Sequence, residues 1–401
     1  MRRSLALSAT ATFAAVAATG AVATHARPAA TAAGKPIVIG VATAQTGFLS
    51  AFDAPSVSGA LIAVDDINSR GGVLGRKLRV VRADTKSNIN LGAQAGLSVI
   101  SKGAEVMLVT LDFNYGGPAA REAQKAGIVA ISIGASSPKF GVQGIGPLAY
   151  TIGSNGDVEA YAESEWAYQK KNWHTAYLLL DDTTDANRTQ CDSFATRFTE
   201  LGGTVLGRDT FKNPDPSVAP QITRIKGLSK APDVIVLCSY PPGGAVAVQQ
   251  LRQQGIDAPI IGNDAFDGDY WYKKTVPELS NFWYNESSSI FGNDPDPKIN
   301  AFWTKYTKVT KGPPQVSFGG FGYSAVQALA VAIKRAGTTK GTAVAAQLNK
   351  FRNEPLLLGT TFTPKLHIDT HRAGRMMEIQ TGKHTVAAVV KPQKQPPLHF
   401  G

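Results

Sequence analysis

The stretch Pro36–Asp84, PIVIGVATAQTGFLSAFDAPSVSGALIAVDDINSRGGVLGRKLRVVRAD, decides how the rest of the chain reads. It opens on a short β-rich run, Pro36–Thr43, followed by a Gly/Ser loop. Gly59–Asn68 then spaces its apolar residues as a helix does, Gly71 and Gly72 end it, and Lys77–Ala83 returns to a β-rich run. Strand, helix, strand in that order is the unit of a parallel sheet, because parallel neighbours need a crossover to join them.

The unit repeats along the chain. Leu91–Ser101 reads as a helix, Val106–Val109 as a strand, Pro118–Ala126 as a helix and Ile128–Ile133 as a strand. A second series follows: helix Ala160–Lys170, strand Thr175–Leu180, helix Phe194–Leu201, a strand from Thr204, helix Ser217–Leu228, strand Asp233–Cys238, helix Gly244–Gln254 and strand Pro259–Ile261. Two α/β modules with mostly parallel sheets thus fill most of the chain. Pro297–Val309 and Tyr323–Arg335 read as further helices, Leu357–Val390 as hairpin strands, and residues 391–401 as a flexible tail.

Composition agrees with two domains. The 401 residues are 43% hydrophobic and only 18% charged, which excludes a disordered chain. Two Cys exclude a disulfide-framework miniprotein and a four-Cys zinc site. Arg2 and Arg3 precede an apolar run from Leu5 to Ala23 and small residues around a cut. This is a secretory signal peptide over residues 1–26, without a Cys for lipid attachment. The expectation is an exported, periplasmic protein, in a compartment where Cys191 and Cys238 are free either to bridge or to stay as two buried thiols. Removing Arg2 and Arg3 lowers the formal charge of +11 by two, but Lys and Arg are scattered, so nucleic acid is not an expected partner.

Motifs of catalysis are missing: no G-x-G-x-x-G after the first strand, no phosphate-binding G-x-x-x-x-G-K-[ST], no G-x-S-x-G and no H-E-x-x-H. His367 and His371 lie in a turn-rich segment and read as surface-loop residues, not as metal ligands. No enzyme activity, metal or cofactor is expected. What remains is a set of polar turns after strands: Leu111–Gly117, Gly134–Pro138, Ser239–Gly244 and Gly262–Asp267. In open parallel sheets ligands bind beyond the carboxyl ends of strands, near free helix N-termini.

From Pro36 to about Val390 the chain resembles the branched-chain amino-acid-binding family of ABC-transporter substrate-binding proteins. The Thr46-Gly47 pair, the helix with Gly59, Ala60 and Asn68, the GGVLGRKL turn, GIVAISIGASSP and DVIVLCSYPPGGAVAVQQLRQQGIDAPIIGNDAF carry the likeness. The resemblance implies a type I periplasmic fold, with two Rossmann-like lobes joined by three crossings near Ile152–Gly156, Ser287–Phe291 and Gly359–Thr361. The lobes would be residues 27–153 with 289–359, and 154–288 with 360–390.

The resemblance also implies a site. Gly134, Ala135 and Ser136 match the turn that holds a ligand carboxylate, and Tyr240 and Asp264 the aromatic and acidic residues that receive an ammonium. Phe52 matches an aromatic over the ligand, and Phe113 and Asn114 fall in a nearby loop. Asp185 stands where many relatives have a Tyr-Gly pair, and reads either as a ligand contact or as a solvated helix cap. The implied function is capture of an amino acid or small carboxylate by a monomer that closes on it and delivers it to a membrane permease. The alternative is a sensor for an aromatic acid or amide.

Overall fold

The computed structural model describes residue 10, residues 34–213 and residues 215–400. The expected signal peptide therefore lies outside the described residues, residue 10 apart. In chain order the elements are β1 (Ile37–Thr43), α1 (Ser50–Ser69), β2 (Leu78–Asp84), α2 (Ile89–Ser101), β3 (Val106–Val109), α3 (Phe113–Lys125), β4 (Ala130–Ser132) and β5 (Ala149–Thr151). Then come α4 (Gly156–Glu165), β6 (Thr175–Asp181), α5 (Asp185–Glu200), β7 (Thr204–Phe211), α6 (Ala219–Lys226), β8 (Val234–Cys238), α7 (Gly243–Gln253) and β9 (Ile260–Gly262). The last are β10 (Phe282–Glu286), α8 (Pro297–Thr310), α9 (Gly319–Ala336), α10 (Gly341–Leu348), β11 (Gly374–Gln380) and β12 (Lys383–Val390).

Two sheets organise these elements. The first has the order β2-β1-β3-β4-β5 and is parallel throughout. Every residue of β1 is buried, as expected of a strand paired on both edges and covered on both faces. Ile37, Ile39 and Val41 point to the face packed by α1, α8 and α9. Ala42 points to the other face, where the small residues of α2 and α3 pack. The second sheet has the order β12-β11-β10-β9-β8-β6-β7 and is parallel except for its β10–β11–β12 edge. Leu179, Leu237 and Ile260 face α6 and α7, while Leu178, Val236 and Ile261 face α4 and α5.

Close backbone contact joins α1 to α9. A Cβ on Gly59 would sit 1.9 Å from the Gly319 carbonyl oxygen, and one on Gly322 would sit 1.7 Å from that of Ser56. Only glycine permits this approach. The α9 start thereby brings Phe318 against Phe52, with ring centroids 5.4 Å apart.

The structure corrects several expectations. The helix expected at Pro118 begins at Phe113, because Asp112 caps it by accepting the N–H groups of Asn114 at 2.7 Å and Tyr115 at 3.1 Å. His367, expected on a surface loop, is 2% exposed. Its ring stacks on Tyr150 with centroids 3.9 Å apart, its Nδ1 lies 2.8 Å from the Ala149 carbonyl oxygen, and burial lowers its pKa to about 4. Phe362 packs in the first sheet's core, and the Thr151 N–H donates to the His367 carbonyl. The tail is held against α4: the Gln393 N–H donates to Glu165, and His399 Nδ1 lies 2.6 Å from Asp157.

Cys191 on α5 and Cys238 at the end of β8 are joined, with their Cα atoms 5.8 Å apart. The bridge spans 47 positions of sequence, and a loop of that length is worth about 4 kcal/mol in the chain-entropy account and often less in measurement. The double variant Cys191→Ala/Cys238→Ala is expected to lose about 2–4 kcal/mol in chemical denaturation. An unchanged midpoint would show that the link adds nothing to the fold.

Candidate functional site

The loops after β1, β3, β4, β6, β8 and β9 open on one cleft of about 540 Å³, counting the space open to solvent. The first half contributes Leu49 and Phe52 from the start of α1, Leu111, Asp112 and Tyr115 from the β3–α3 junction, Gly134 and Ser136 from the turn after β4, and Phe318 before α9. The second contributes Thr184, Ala186 and Asn187 from the β6–α5 junction, Tyr240 after β8, and Asn263, Asp264 and Ala265 after β9. Ligand pockets of open parallel sheets sit at such strand ends, so the cleft is placed to receive a small solute.

Buried hydrogen bonds hold the walls. Asp53, fully buried on α1, accepts the Ala44 N–H at 2.6 Å and the Leu111 N–H at 3.2 Å, tying the ends of β1 and β3 together. Burial pushes its carboxyl up to about 7, against the pull of those two N–H groups. On the second half, Asp181 accepts the backbone and side-chain N–H groups of Asn213 at 3.0 and 2.9 Å and the Ser239 hydroxyl at 2.8 Å.

Of the residues expected in the site, Phe52, Gly134, Ser136, Tyr240 and Asp264 line the cleft. Phe113, Asn114, Ala135 and Asp185 do not. Phe113 turns toward the small-residue core of α2 and α3, with the Arg121 guanidinium 5.7 Å from its ring centre. Ala135 is wholly buried beneath the turn. Asp185 joins the two halves: Lys139 Nζ lies 2.6 Å from its Oδ1, the Ser137 hydroxyl donates to its Oδ2, and its own N–H donates to Asn114 Oδ1 at 3.2 Å. It is thus a junction between the walls and, at 8% exposed, not a solvated cap. Phe48 stacks on Tyr240 across the same junction at 5.8 Å.

Asp112, Thr184 and Asn263 were not among the expected residues, yet all three line the cleft and all three cap a helical start. An Asp, Thr or Asn directly after a strand and before a helical run is the signal by which sequence alone marks such positions.

Two carboxylates on opposite walls dominate the electrostatics. Burial raises Asp264 to about 7, helped by neighbouring Asp267. Burial also raises Asp112 to about 6, opposed by the Tyr115 and Asn114 N–H groups and reinforced by Asp185. No Lys, Arg or His stands among the residues lining the cleft.

Two α/β halves that share a strand-end cleft define a solute-binding protein of the periplasmic type. The profile of the periplasmic binding protein family matches residues 36–384, and the chain belongs to that family, in its branched-chain amino-acid-binding, type I branch. The Leu/Ile/Val-binding protein BraC3 of Rhizobium johnstonii is 26% identical over 326 residues, covering 80% of this chain and 86% of that protein. The branched-chain amino acid transporter substrate-binding protein LivJ of Streptococcus pneumoniae, solved with isoleucine, is 25% identical with a TM-score of 0.78, covering 89% of this chain and 100% of that one. The leucine-binding protein LivK of Thermotoga maritima shares the fold at a TM-score of 0.79 and 22% identity, covering 89% and 99%. Family and fold are those of transport binding proteins, and the general role is periplasmic solute binding. No helix among the described residues is long and apolar enough to cross a membrane.

Two outcomes test this geometry. Between the ordinary carboxyl pKa near 4 in the unfolded chain and about 7 in the folded one, folded Asp53 keeps a proton that the unfolded chain has released. Its contribution to stability is therefore complete below about pH 4 and lost as the pH rises to 7. The stability difference between wild type and Asp53→Asn should move in the variant's favour from pH 4.5 to 7.5 in urea titrations. A difference that ignores pH would refute the assignment. The Lys139–Asp185 pair, with side chains 20% and 12% exposed, joins the two walls in partly desolvated surroundings. Asp185→Ala should enlarge the radius of gyration of the unliganded protein in solution scattering, and an unaltered profile would deny the pair that role.

Proposed function

We propose that the chain captures a small amine-bearing solute, an amino acid or a similar small carboxylate, between its two halves and presents the closed form to an ABC permease. The observation that carries this reading is the division of polar groups between the walls. Asp264 and Tyr240 lie on one side, and Gly134, Ser136 and Phe52 on the other. An ammonium meets an anion and a ring face on the second half, which suits a cation. A carboxylate meets the Ser136 hydroxyl and the turn after β4 on the first half.

Neither wall alone satisfies both ends of such a solute, so only the closed form makes every contact. Differential affinity for that form is what shifts the population toward it. Short crossings between the halves, such as the resemblance implies, would serve as the hinges of that closure. Desolvation on closing strengthens the enclosed hydrogen bonds and penalises any solute that leaves a charge unpaired. That penalty is the source of selectivity.

A thermal-shift screen of amino acids, amides and aromatic acids tests the reading directly, since a ligand at 100 times its dissociation constant stabilises by about 2.7 kcal/mol. Asp264→Ala should weaken binding of an amine-bearing hit by about 2 kcal/mol or more, because the ammonium would be buried without its partner. Unchanged affinity in calorimetry would remove Asp264 from the site.

A further inference from the structure

The charge balance of the cleft goes beyond a site for a zwitterion. Asp264 is the carboxylate expected to receive an ammonium, but Asp112 faces the same cleft from the opposite half. Asp112 is 7% exposed. Its Oδ1 caps α3 through the N–H groups of Asn114 and Tyr115, and among the described residues no side chain pairs with its carboxyl. The side chain thus has a structural task at Oδ1 and is at the same time part of the cleft wall.

The neighbours do not neutralise it. Lys139, on the loop after the Gly134–Ser136 turn, is engaged by Asp185 at 2.6 Å. Asp181, behind Tyr240, is saturated by Asn213, Ser239 and Thr183. The remaining lining polar side chains are hydroxyls and amides, together with the rings of Phe52, Tyr115, Tyr240 and Phe318. A zwitterion would pair its ammonium with Asp264 and bring its carboxylate into a closed cleft that already holds Asp112 and no basic side chain. Enclosing an unbalanced negative charge in this way is costly. A second positive group on the solute removes that cost, and aromatic faces add to its attraction.

We propose that Asp112 is a specificity-determining residue and that the solute carries two amino or guanidinium groups, one received by Asp264 and the other by Asp112. This rests on the solute-binding reading above and narrows its ligand to small solutes with an excess of positive charge. Burial holds the Asp112 carboxyl at about 6, so it is ionised at pH 7.5.

The experiment is isothermal titration at pH 7.5 of the full mature chain with L-lysine, putrescine and L-leucine, for wild type and Asp112→Asn. Asparagine keeps the helix cap, so the variant retains its fold and loses only the charge. Wild type should bind L-lysine or putrescine at least tenfold more tightly than L-leucine. Asp112→Asn should lose at least tenfold for the doubly cationic probe and bind L-leucine more tightly than wild type does, because the repulsion of its carboxylate is removed. Tighter binding of L-leucine than of both other probes, or equal losses for all three in the variant, would overturn the inference and leave the solute-binding reading standing. Failure of all three to bind also overturns it. Only silence across the wider thermal-shift screen would take the solute-binding reading with it.

Discussion

Two buried aspartates, one on α1 and one at the end of β6, hold the walls of the cleft, and the rest of the site depends on them. Parallel strands end in loops whose N–H groups lack ladder partners, and an unpaired buried N–H costs about 1–3 kcal/mol. Asp53 accepts two of them, from Ala44 and Leu111. Asp181 gathers Asn213 and Ser239 on the other half. Each converts loose strand ends into a rigid rim, and each does so with a carboxylate whose burial would be unfavourable without those donors.

The rim makes the chemistry of the cleft possible. With β1 and β3 tied, Phe52, Asp112 and Tyr115 are held at one edge, and with Asn213 and Ser239 tied, Tyr240 is held at the other. Asp112 and Asp264 line the cleft from opposite sides, as do the rings of Phe52, Tyr115, Tyr240 and Phe318. Across the mouth, Asp185, Lys139 and Ser137 join the halves without entering the cleft. The link is a pair of opposite charges, Lys139 and Asp185, that neutralise each other.

Much of the fold was legible in short apolar runs. IVIGVAT, VMLV and VIVLC are continuous because their strands are covered on both faces, and a sequence reports that kind of burial directly. Phe282–Glu286 was not legible as a strand, since five residues mixing aromatic and polar types have no decisive period. Its identity comes from pairing with β9 on one side and β11 on the other. His367 misled for a related reason: a polar residue among turn residues reads as exposed until Tyr150 and the Ala149 carbonyl, more than 200 positions away, enclose it.

The sequence by itself determined the α/β class, the two modules, the family, and the loops in which Gly134, Ser136, Tyr240 and Asp264 would be found. It did so because strand-end loops follow buried runs that are recognisable one at a time. Only the tertiary structure decided which residue within each loop faces the cleft. Asp112 and Phe113 are adjacent, as are Asp185 and Ala186, and in each pair one lines the cleft and the other turns away. Neighbours at a helix start point in different directions around its axis, so the outcome is set by where the helix begins and what the opposite wall offers, and both are properties of contacts between distant parts of the chain.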